Sequence, residues 1–163
     1  MDNLWRPWRI KYILSDKEQG CIFCNKPKEQ KDQKNYILHR AKTSFIILNI
    51  YPYNNGHLMI APYKHVASFE NLEDAELTEL FQMVNKCTKL LKVTMQPQGF
   101  NIGVNLGKVA GAGVKDHVHI HVVPRWEGDT NFMPILAEAS VIPESLDAVF
   151  GKLSEALNRN ITP

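Results

Sequence analysis

Three histidines occupy alternate positions in the sequence HVHIHVV, at His117, His119 and His121, and they make up half of the six histidines in the chain. In a β-strand, alternate side chains lie on one face, about 6.6 Å apart at a rise of roughly 3.3 Å per residue. Three histidines buried in a core would each need a separate polar partner. The spacing therefore favours a functional face of imidazoles, with the intervening aliphatic residues facing the core.

A row of neutral imidazoles suits chemistry at phosphorus. An imidazole with a pKa of about 6.5 is largely neutral at pH 7, and its free nitrogen is a nucleophile. Attack on the α-phosphorus of a nucleotide would split one difficult displacement into two easier steps through a nucleotidyl-histidine. Hydrogen-bond donors must then stabilise the phosphoryl oxygens. The segment GKVAGAG, residues 107–113, lies just upstream, and its glycines would let backbone N–H groups approach a phosphate.

A metal site is the competing interpretation of the same histidines. Two of them could bind one ion, with a third ligand from elsewhere in the chain. Cys21 and Cys24 form a CxxC pair, which in a cytosolic protein indicates a metal or redox site. The polar run after Cys24 is not typical of a thioredoxin-like redox motif. The odd number of cysteines argues against a disulfide framework, and Cys87 is predicted to be a small buried hydrophobe.

The elements that must position these residues form an α+β pattern. Five strands are predicted, over residues 36–39, 45–49, 57–61, 100–106 and 117–123. Short turns such as YPYNNG, residues 51–56, make the pairing mostly antiparallel. Apolar residues at helical spacing predict two main helices, one from an N-cap at Asn71 to Leu91 and one over about 144–158. The polar segment 25–35 is predicted to be a surface loop.

Composition predicts a single domain over residues 1–163, with an N-terminal arm over 1–20 and a C-terminal tail and helix over 126–163. The hydrophobic share of 44% and the charged share of 22% are those of a globular protein rather than a disordered one. A net charge of +2 argues against nucleic-acid or membrane binding. No apolar run approaches the roughly 20 residues of a membrane span. The arm lacks the features of a secretory signal, which predicts a cytoplasmic protein, and its indoles at Trp5 and Trp8 are expected to pack.

Two segments carry a family resemblance. HVHIHVVP, residues 117–124, resembles the alternating-histidine motif of the histidine triad superfamily, and NGHLMIAP, residues 55–62, is similar to its Gly-His strand. The similarity covers about residues 21–125. The flanks LWRPWRIKYI, residues 4–13, and HVVPRWEGDTNFMPI, residues 121–135, resemble the bacterial diadenosine tetraphosphate phosphorylase branch. The resemblance implies a histidine triad fold, nucleotidyl-transfer activity on a small nucleotide, and a homodimer, because members commonly extend their sheet across a two-fold axis.

The resemblance also implies roles for individual residues. His119 corresponds to the nucleophile, and His121 would contact the phosphate and help the leaving group. In zinc-containing members the first histidine is a metal ligand, which implies a closed structural zinc site and no organic cofactor, with ligands Cys21, Cys24, His65 and His117. Nucleotide contacts are implied for the ribose at Asn49, for the base at Ile47, Leu48 and His57, and for the phosphates at Asn105, Gly111 and Gly113. His39 has no counterpart and is expected at the surface.

One departure from the family pattern concerns the loop before the first histidine. Many relatives carry Gln, Ser or Thr there to donate to the phosphate, whereas this chain has Ala112 and Gly113. Either backbone N–H groups replace that donor, helped by Lys115, or activity is reduced. Three functions stay open at this point: a dinucleoside polyphosphate phosphorylase, a hydrolase of nucleotide phosphoramidates or dinucleoside polyphosphates, and a non-catalytic zinc-containing nucleotide-binding module.

Overall fold

A five-stranded antiparallel sheet organises the residues that the computed structural model describes, which are 20–129 and 142–159. The strands lie in the order β1-β2-β3-β5-β4, and every neighbouring pair is antiparallel. Their bounds are β1 (Ile37–Arg40), β2 (Ser44–Leu48), β3 (Leu58–Pro62), β4 (Gly99–Gly103) and β5 (Ile120–Arg125). The predicted α+β class with five antiparallel strands is confirmed, and a turn over residues 51–56 joins β2 to β3.

The histidine strand begins later than the sequence predicted. β5 starts at Ile120, so His117 and His119 precede it, and the Val118 N–H between them donates to the Val66 carbonyl at 2.7 Å. The strand also runs past its predicted end at residue 123, through Pro124 to Arg125. Pairing with β3 ends at Val122, so the missing N–H of Pro124 breaks no ladder on that side.

Two long helices cover one face of the sheet. In chain order they are α3 (Asp74–Met95) and α4 (Leu146–Asn158), and both pack on the alternate strand residues that point towards them. The N-terminus of α3 differs from the prediction. Glu73 and Glu76 form a capping box, whereas Asn71 closes a preceding 3-10 turn. Cys87 is completely buried in this core, as predicted.

Two short helices on the opposite side replace the predicted loop over residues 25–35. They are α1 (Ile22–Lys28) and α2 (Asp32–Asn35). No periodic apolar pattern marks α1 in the sequence, because Phe23 is the one large apolar side chain that this helix buries fully. Asn35 fastens the pair instead, since its side chain donates to the Lys26 carbonyl and to Glu29. Tertiary contacts stabilise helices this short, which would not persist alone.

The terminal predictions fall mostly beyond the described ranges. The N-terminal arm, with Trp5 and Trp8, and much of the tail after Trp126 lie outside residues 20–129 and 142–159. The single-domain boundaries therefore stay a prediction. Within the described ranges, none of the helices has the length and apolar character that a bilayer crossing requires.

Candidate active site

The sheet face opposite α3 carries the histidines. Strand register places Ile47, Met59, His121 and Gly103 side by side across β2, β3, β5 and β4. A side chain at Gly103 would meet no atom within 4 Å, so the space beside His121 on the β4 side is open. Phe23 of α1 covers the same face at the other end, with its ring centroid 4.7 Å from that of His119. The imidazoles therefore lie on a sheet face that Phe23 covers at one end and that is open at the other end, beside β4.

His119 is held in one tautomer by the backbone. Its Nδ1–H donates to the main-chain carbonyl of His117 at 2.9 Å, which leaves Nε2 with the free lone pair. Only 5% of the residue is exposed. Burial lowers the pKa of the His119 imidazole, since the charged ring loses its hydration. His119 therefore presents a neutral, oriented nucleophilic nitrogen.

His57 and His121 are joined by a hydrogen bond whose direction can be assigned. The Tyr53 backbone N–H donates to His57 Nδ1 at 3.1 Å, so that nitrogen must be an acceptor and the His57 proton must lie on Nε2. His57 Nε2 then donates to His121 Nδ1 at 2.9 Å. A neutral His121 consequently carries its own proton on Nε2.

The Nε2–H of His121 is the last donor in this series of hydrogen bonds. His121 is 8% exposed, and its Nε2 is a buried side-chain nitrogen that has no hydrogen-bond partner among residues 20–129 and 142–159. Burial, followed by the neighbouring His119, lowers the pKa of His121 to about 4, and burial lowers the pKa of His57 to about 3. Both rings are thus neutral at pH 7. An unsatisfied buried donor next to a nucleophile is the arrangement that an incoming phosphoryl or leaving-group oxygen would satisfy.

The four residues implied as metal ligands are brought together from three parts of the chain. Cys21 caps α1 and Cys24 lies in its first turn, while His65 follows β3 and His117 precedes β5. All four candidate ligand atoms lie within 4.8 Å of one another. The distances from His117 Nδ1 are 3.2 Å to Cys21 Sγ, 3.6 Å to Cys24 Sγ and 3.2 Å to His65 Nδ1. Ligand atoms around a tetrahedral zinc ion are about 3.3–3.8 Å apart, so this cluster could hold a metal ion.

The ring of His117 is oriented towards the cluster by its second nitrogen. Nε2–H donates to the Pro62 carbonyl at 2.8 Å, which leaves Nδ1 unprotonated and directed at the two thiols. Burial raises the pKa of the Cys24 thiol because the thiolate loses hydration, and a hydrogen bond with Cys21 and the charge of Cys21 raise it further. The donor set and its orientation fit a cation rather than a disulfide.

The structure places two of the predicted base contacts in buried positions. Leu48 lies in the core between the sheet and α3, on the face away from the histidines. His57 is fully buried, and both of its ring nitrogens form hydrogen bonds with other groups. Their contacts with the base stay predictions. Ile47 does lie on the histidine face, packed with Phe23, and its base contact stays a prediction.

The remaining predicted nucleotide residues lie around the same face. Asn49 is buried, and its amide donates to His57 Nδ1 while its carbonyl oxygen accepts from the Tyr51 N–H. Asn105, Gly111 and Gly113 belong to the loop that leaves β4 and returns to the histidines. Gly111 has a φ of +87°, which an L side chain rarely adopts. Contacts with ribose and phosphate stay predictions for all four. His39 is half-buried rather than fully at the surface.

Tyr53 and Asn54 are functional candidates that the sequence did not reveal. The Tyr53 ring packs on His57 and His121 at centroid distances of 4.6 and 5.6 Å, and its N–H sets the His57 tautomer. In the sequence YPYNNG, these residues indicate only a turn. No local signal connects them to a histidine that is 68 positions away from Tyr53.

Comparisons with known proteins agree with this geometry. The family model of the HIT domain matches residues 30–128. The chain is 38% identical over 155 residues to the AP-4-A phosphorylase of Mycobacterium tuberculosis strain H37Rv, covering 90% of this chain and 79% of the relative. It is 35% identical over 110 residues to the adenosine 5′-monophosphoramidase of Candida albicans, covering 65% and 70% respectively. A Zn-bound histidine triad family protein from Mycobacterium smegmatis has the same fold, with a TM-score of 0.69, 23% identity, and coverage of 86% and 94%.

Proposed function

Because this chain belongs to the HIT domain family, whose named relatives above are nucleotide-processing enzymes, we propose that it is a diadenosine tetraphosphate phosphorylase working through a nucleotidyl-histidine. The observation that carries the proposal is a pair of neighbouring imidazoles with opposite roles. His119 offers the lone pair of Nε2, and His121 offers the proton of Nε2. One acts as nucleophile while the other acts as donor, and both are neutral at the same pH.

The first step forms a bond from His119 Nε2 to the α-phosphorus and breaks the bond from that phosphorus to the bridging oxygen. ATP leaves, and the Nε2–H of His121 donates to the oxygen on which negative charge develops. As a positive charge grows on the His119 ring, its Nδ1–H bond to the His117 carbonyl strengthens. The product is adenylyl-His119.

The second step transfers the adenylyl group from His119 to an acceptor. Attack by an oxygen of inorganic phosphate breaks the N–P bond and gives ADP, whereas attack by water gives AMP. The 38% identity to a phosphorylase over 90% of the chain supports phosphate. The open space beside His121 and Gly103 is where we place the leaving group and then the acceptor.

Product analysis tests the proposed reaction. Diadenosine tetraphosphate is supplied with and without inorganic phosphate, and the nucleotides are separated by anion exchange. We expect ADP and ATP in equal amounts, formed only when phosphate is present. AMP and ATP without phosphate would establish a hydrolase instead, and no turnover would contradict both assignments.

A second candidate function is hydrolysis of nucleotide phosphoramidates. The 35% identity to an adenosine 5′-monophosphoramidase favours it, and the same His119 attack would release an amine in place of ATP. The two activities differ in leaving group and acceptor but not in nucleophile. A ratio of kcat/KM for the two substrates that favours the phosphoramidate by more than about tenfold would reverse the preference.

For the metal cluster we propose structural zinc. Two thiolates and two imidazoles, with ligand atoms within 4.8 Å of one another, are the donors that zinc prefers, and four protein ligands would leave no position for substrate. When bound, the ion would supply folding stability by joining α1 to the segments that follow β3 and precede β5. The groups that react with the nucleotide are therefore the imidazoles of this chain.

We also propose that the protein is located in the cytoplasm.

A further inference from the structure

The carboxylate of Asp129 accepts hydrogen bonds from three different residues near the end of β5. It accepts from Arg125 Nε and Nη2, each at 2.7 Å, and from the Trp126 backbone N–H at 3.0 Å. It also accepts from Asn54 Nδ2 at 2.7 Å. The side chain of Asp129 is only 10% exposed, although the residue lies just beyond the strand. This segment, PRWEGD at residues 124–129, carries part of the family resemblance but no part of the proposed chemistry.

Asn54 links this carboxylate to the turn between β2 and β3. Its Nδ2 donates to the Pro124 carbonyl at 3.1 Å as well as to Asp129, and its Oδ1 accepts from the Asn55 N–H. Its own main-chain carbonyl accepts from the His57 N–H at 3.2 Å. The turn is thereby fastened to β5 through one amide side chain.

The fastened turn carries the donor that sets the histidine tautomers. The Tyr53 N–H reaches His57 Nδ1 because the turn holds it there. Asn49 also donates to His57 Nδ1, but the Tyr51 N–H of the same turn sets the orientation of that amide. If the turn moved, His57 could place its proton on Nδ1. His121 would then protonate Nδ1 and present a lone pair, instead of a proton, to the substrate.

We propose that Asp129 and Asn54 are positioning residues for catalysis, which act through the turn and His57 to keep the proton of His121 on the nitrogen that faces the substrate. The role rests on the proposed function, because it concerns proton donation to a leaving group. Neither residue touches the nucleophile. Their loss should therefore affect substrates according to how much their leaving group needs a proton.

The kinetic test compares two leaving groups on one adenylate. A p-nitrophenyl ester of AMP leaves without protonation, whereas the amine of an AMP phosphoramidate does not. For Asn54→Ala we expect kcat/KM to fall by about 10- to 100-fold with the phosphoramidate and by less than about threefold with the ester. Asp129→Asn should show the same selectivity. The matched control is Asp32→Asn, since Asp32 accepts from Arg40 with the same two-point geometry but lies far from the turn.

A spectroscopic test needs no substrate. Long-range ¹H–¹⁵N correlations of histidine-labelled protein should assign both His57 and His121 as Nε2–H in the wild type and in Asp32→Asn. In Asn54→Ala the two rings should become a mixture of tautomers. Should Asp129→Asn fail to fold, Asn54→Ala decides the question, because it leaves the Arg125–Asp129 pair intact.

The two tests separate failure of this inference from failure of the proposed function. Unchanged tautomers, together with equal losses on both substrates, would show a merely structural role and overturn the inference. A wild type that does not turn over diadenosine tetraphosphate would contradict the proposed function, but the tautomer measurement would still test the positioning role. A leaving-group effect without a change of tautomer would also overturn it, since the proposed route would be wrong.

Discussion

At the scale of single residues, the site depends on where each imidazole keeps its proton. His119 donates a hydrogen bond from Nδ1–H to a backbone carbonyl. A backbone N–H donates to His57 Nδ1, so His57 must carry its own proton on Nε2. Backbone groups cannot change between donor and acceptor, so they assign the tautomers without ambiguity. In the proposed reaction, three rings of one chemical type therefore perform three tasks: attack, donation and orientation.

Replacing the nucleophile should abolish covalent chemistry while leaving the fold intact. For His119→Ala we expect kcat/KM for diadenosine tetraphosphate to fall by at least about 10³-fold, with no adenylyl-protein in intact-mass spectra of quenched reactions. His39→Ala is the control, because His39 lies on β1 outside the histidine row. Wild-type turnover by His119→Ala would refute the assignment of the nucleophile.

The pH dependence of adenylylation should reflect the lowered pKa of His119. The neutral ring is the nucleophile, and a folded-state pKa below 6.5 means that it stays neutral as the pH falls through that value. We expect the single-turnover rate to be flat from pH 8 to about 6.5 and to decline only in more acid solution. A rate already halved at pH 6.5 would show that burial does not lower this pKa.

The free energy of unfolding should also depend on the lowered pKa values of the buried histidines. The pKa values of His57, His119 and His121 are all lowered in the folded state, so the unfolded chain binds more protons below about pH 6.5. The free energy of unfolding should therefore decrease as the pH falls from 7 towards 4. Urea titrations at several pH values measure it. A free energy of unfolding that rises as the pH falls from 7 towards 4 would contradict the lowered pKa values of these three histidines.

At the scale of elements, a helix N-terminus and two strand flanks bring together the four proposed metal ligands. We expect Cys24→Ser to lose bound zinc and to lower Tm by about 10 °C or more, at roughly 2–4 °C per kcal/mol for a chain of this size. Metal content by plasma mass spectrometry and thermal melts measure both effects. Cys87→Ala is the control, since it opens a cavity in the core but leaves the cluster intact, so it should melt early with its zinc retained. Full zinc content in Cys24→Ser would remove this residue from the ligand set.

Sequence reasoning succeeded where one local pattern carried the information. The alternating histidines predicted neighbouring imidazoles, and the rings of His119 and His121 lie with their centroids 4.8 Å apart. That this face is functional stays a prediction. The apolar spacing of α3 and α4 predicted both helices. It failed where the determining contact was distant. Nothing near His57 signals that its partner is His121, 64 residues away, and α1 has too few buried residues to show a period. The C-terminal end of β5 lies beyond its predicted position, because Pro124 is tolerated where β5 no longer pairs with β3.

At the scale of the whole molecule, β4 leaves one edge of the sheet unpaired among the described residues. β5 is its only strand neighbour there, and Ile102 is 46% exposed. An open edge of this kind is a site for strand pairing with a second copy. We expect the wild type to scatter light as a dimer of the 18.6 kDa chain, and Ile102→Lys to shift it towards monomer. Val109→Lys, at a fully exposed loop position, is the matched control. A monomeric wild type at micromolar concentration would disprove the homodimer.

His117 contributes to both centres through different parts of the same residue. Its ring belongs to the metal cluster, whereas its main-chain carbonyl orients His119. Any amino acid at position 117 would still provide that carbonyl. In evolutionary terms, a lineage could therefore discard both cysteines and the first histidine, and with them the proposed metal site, without giving up the orientation of the His119 ring. The proposed metal site and the proposed nucleophile are adjacent in space, but natural selection could act on them separately.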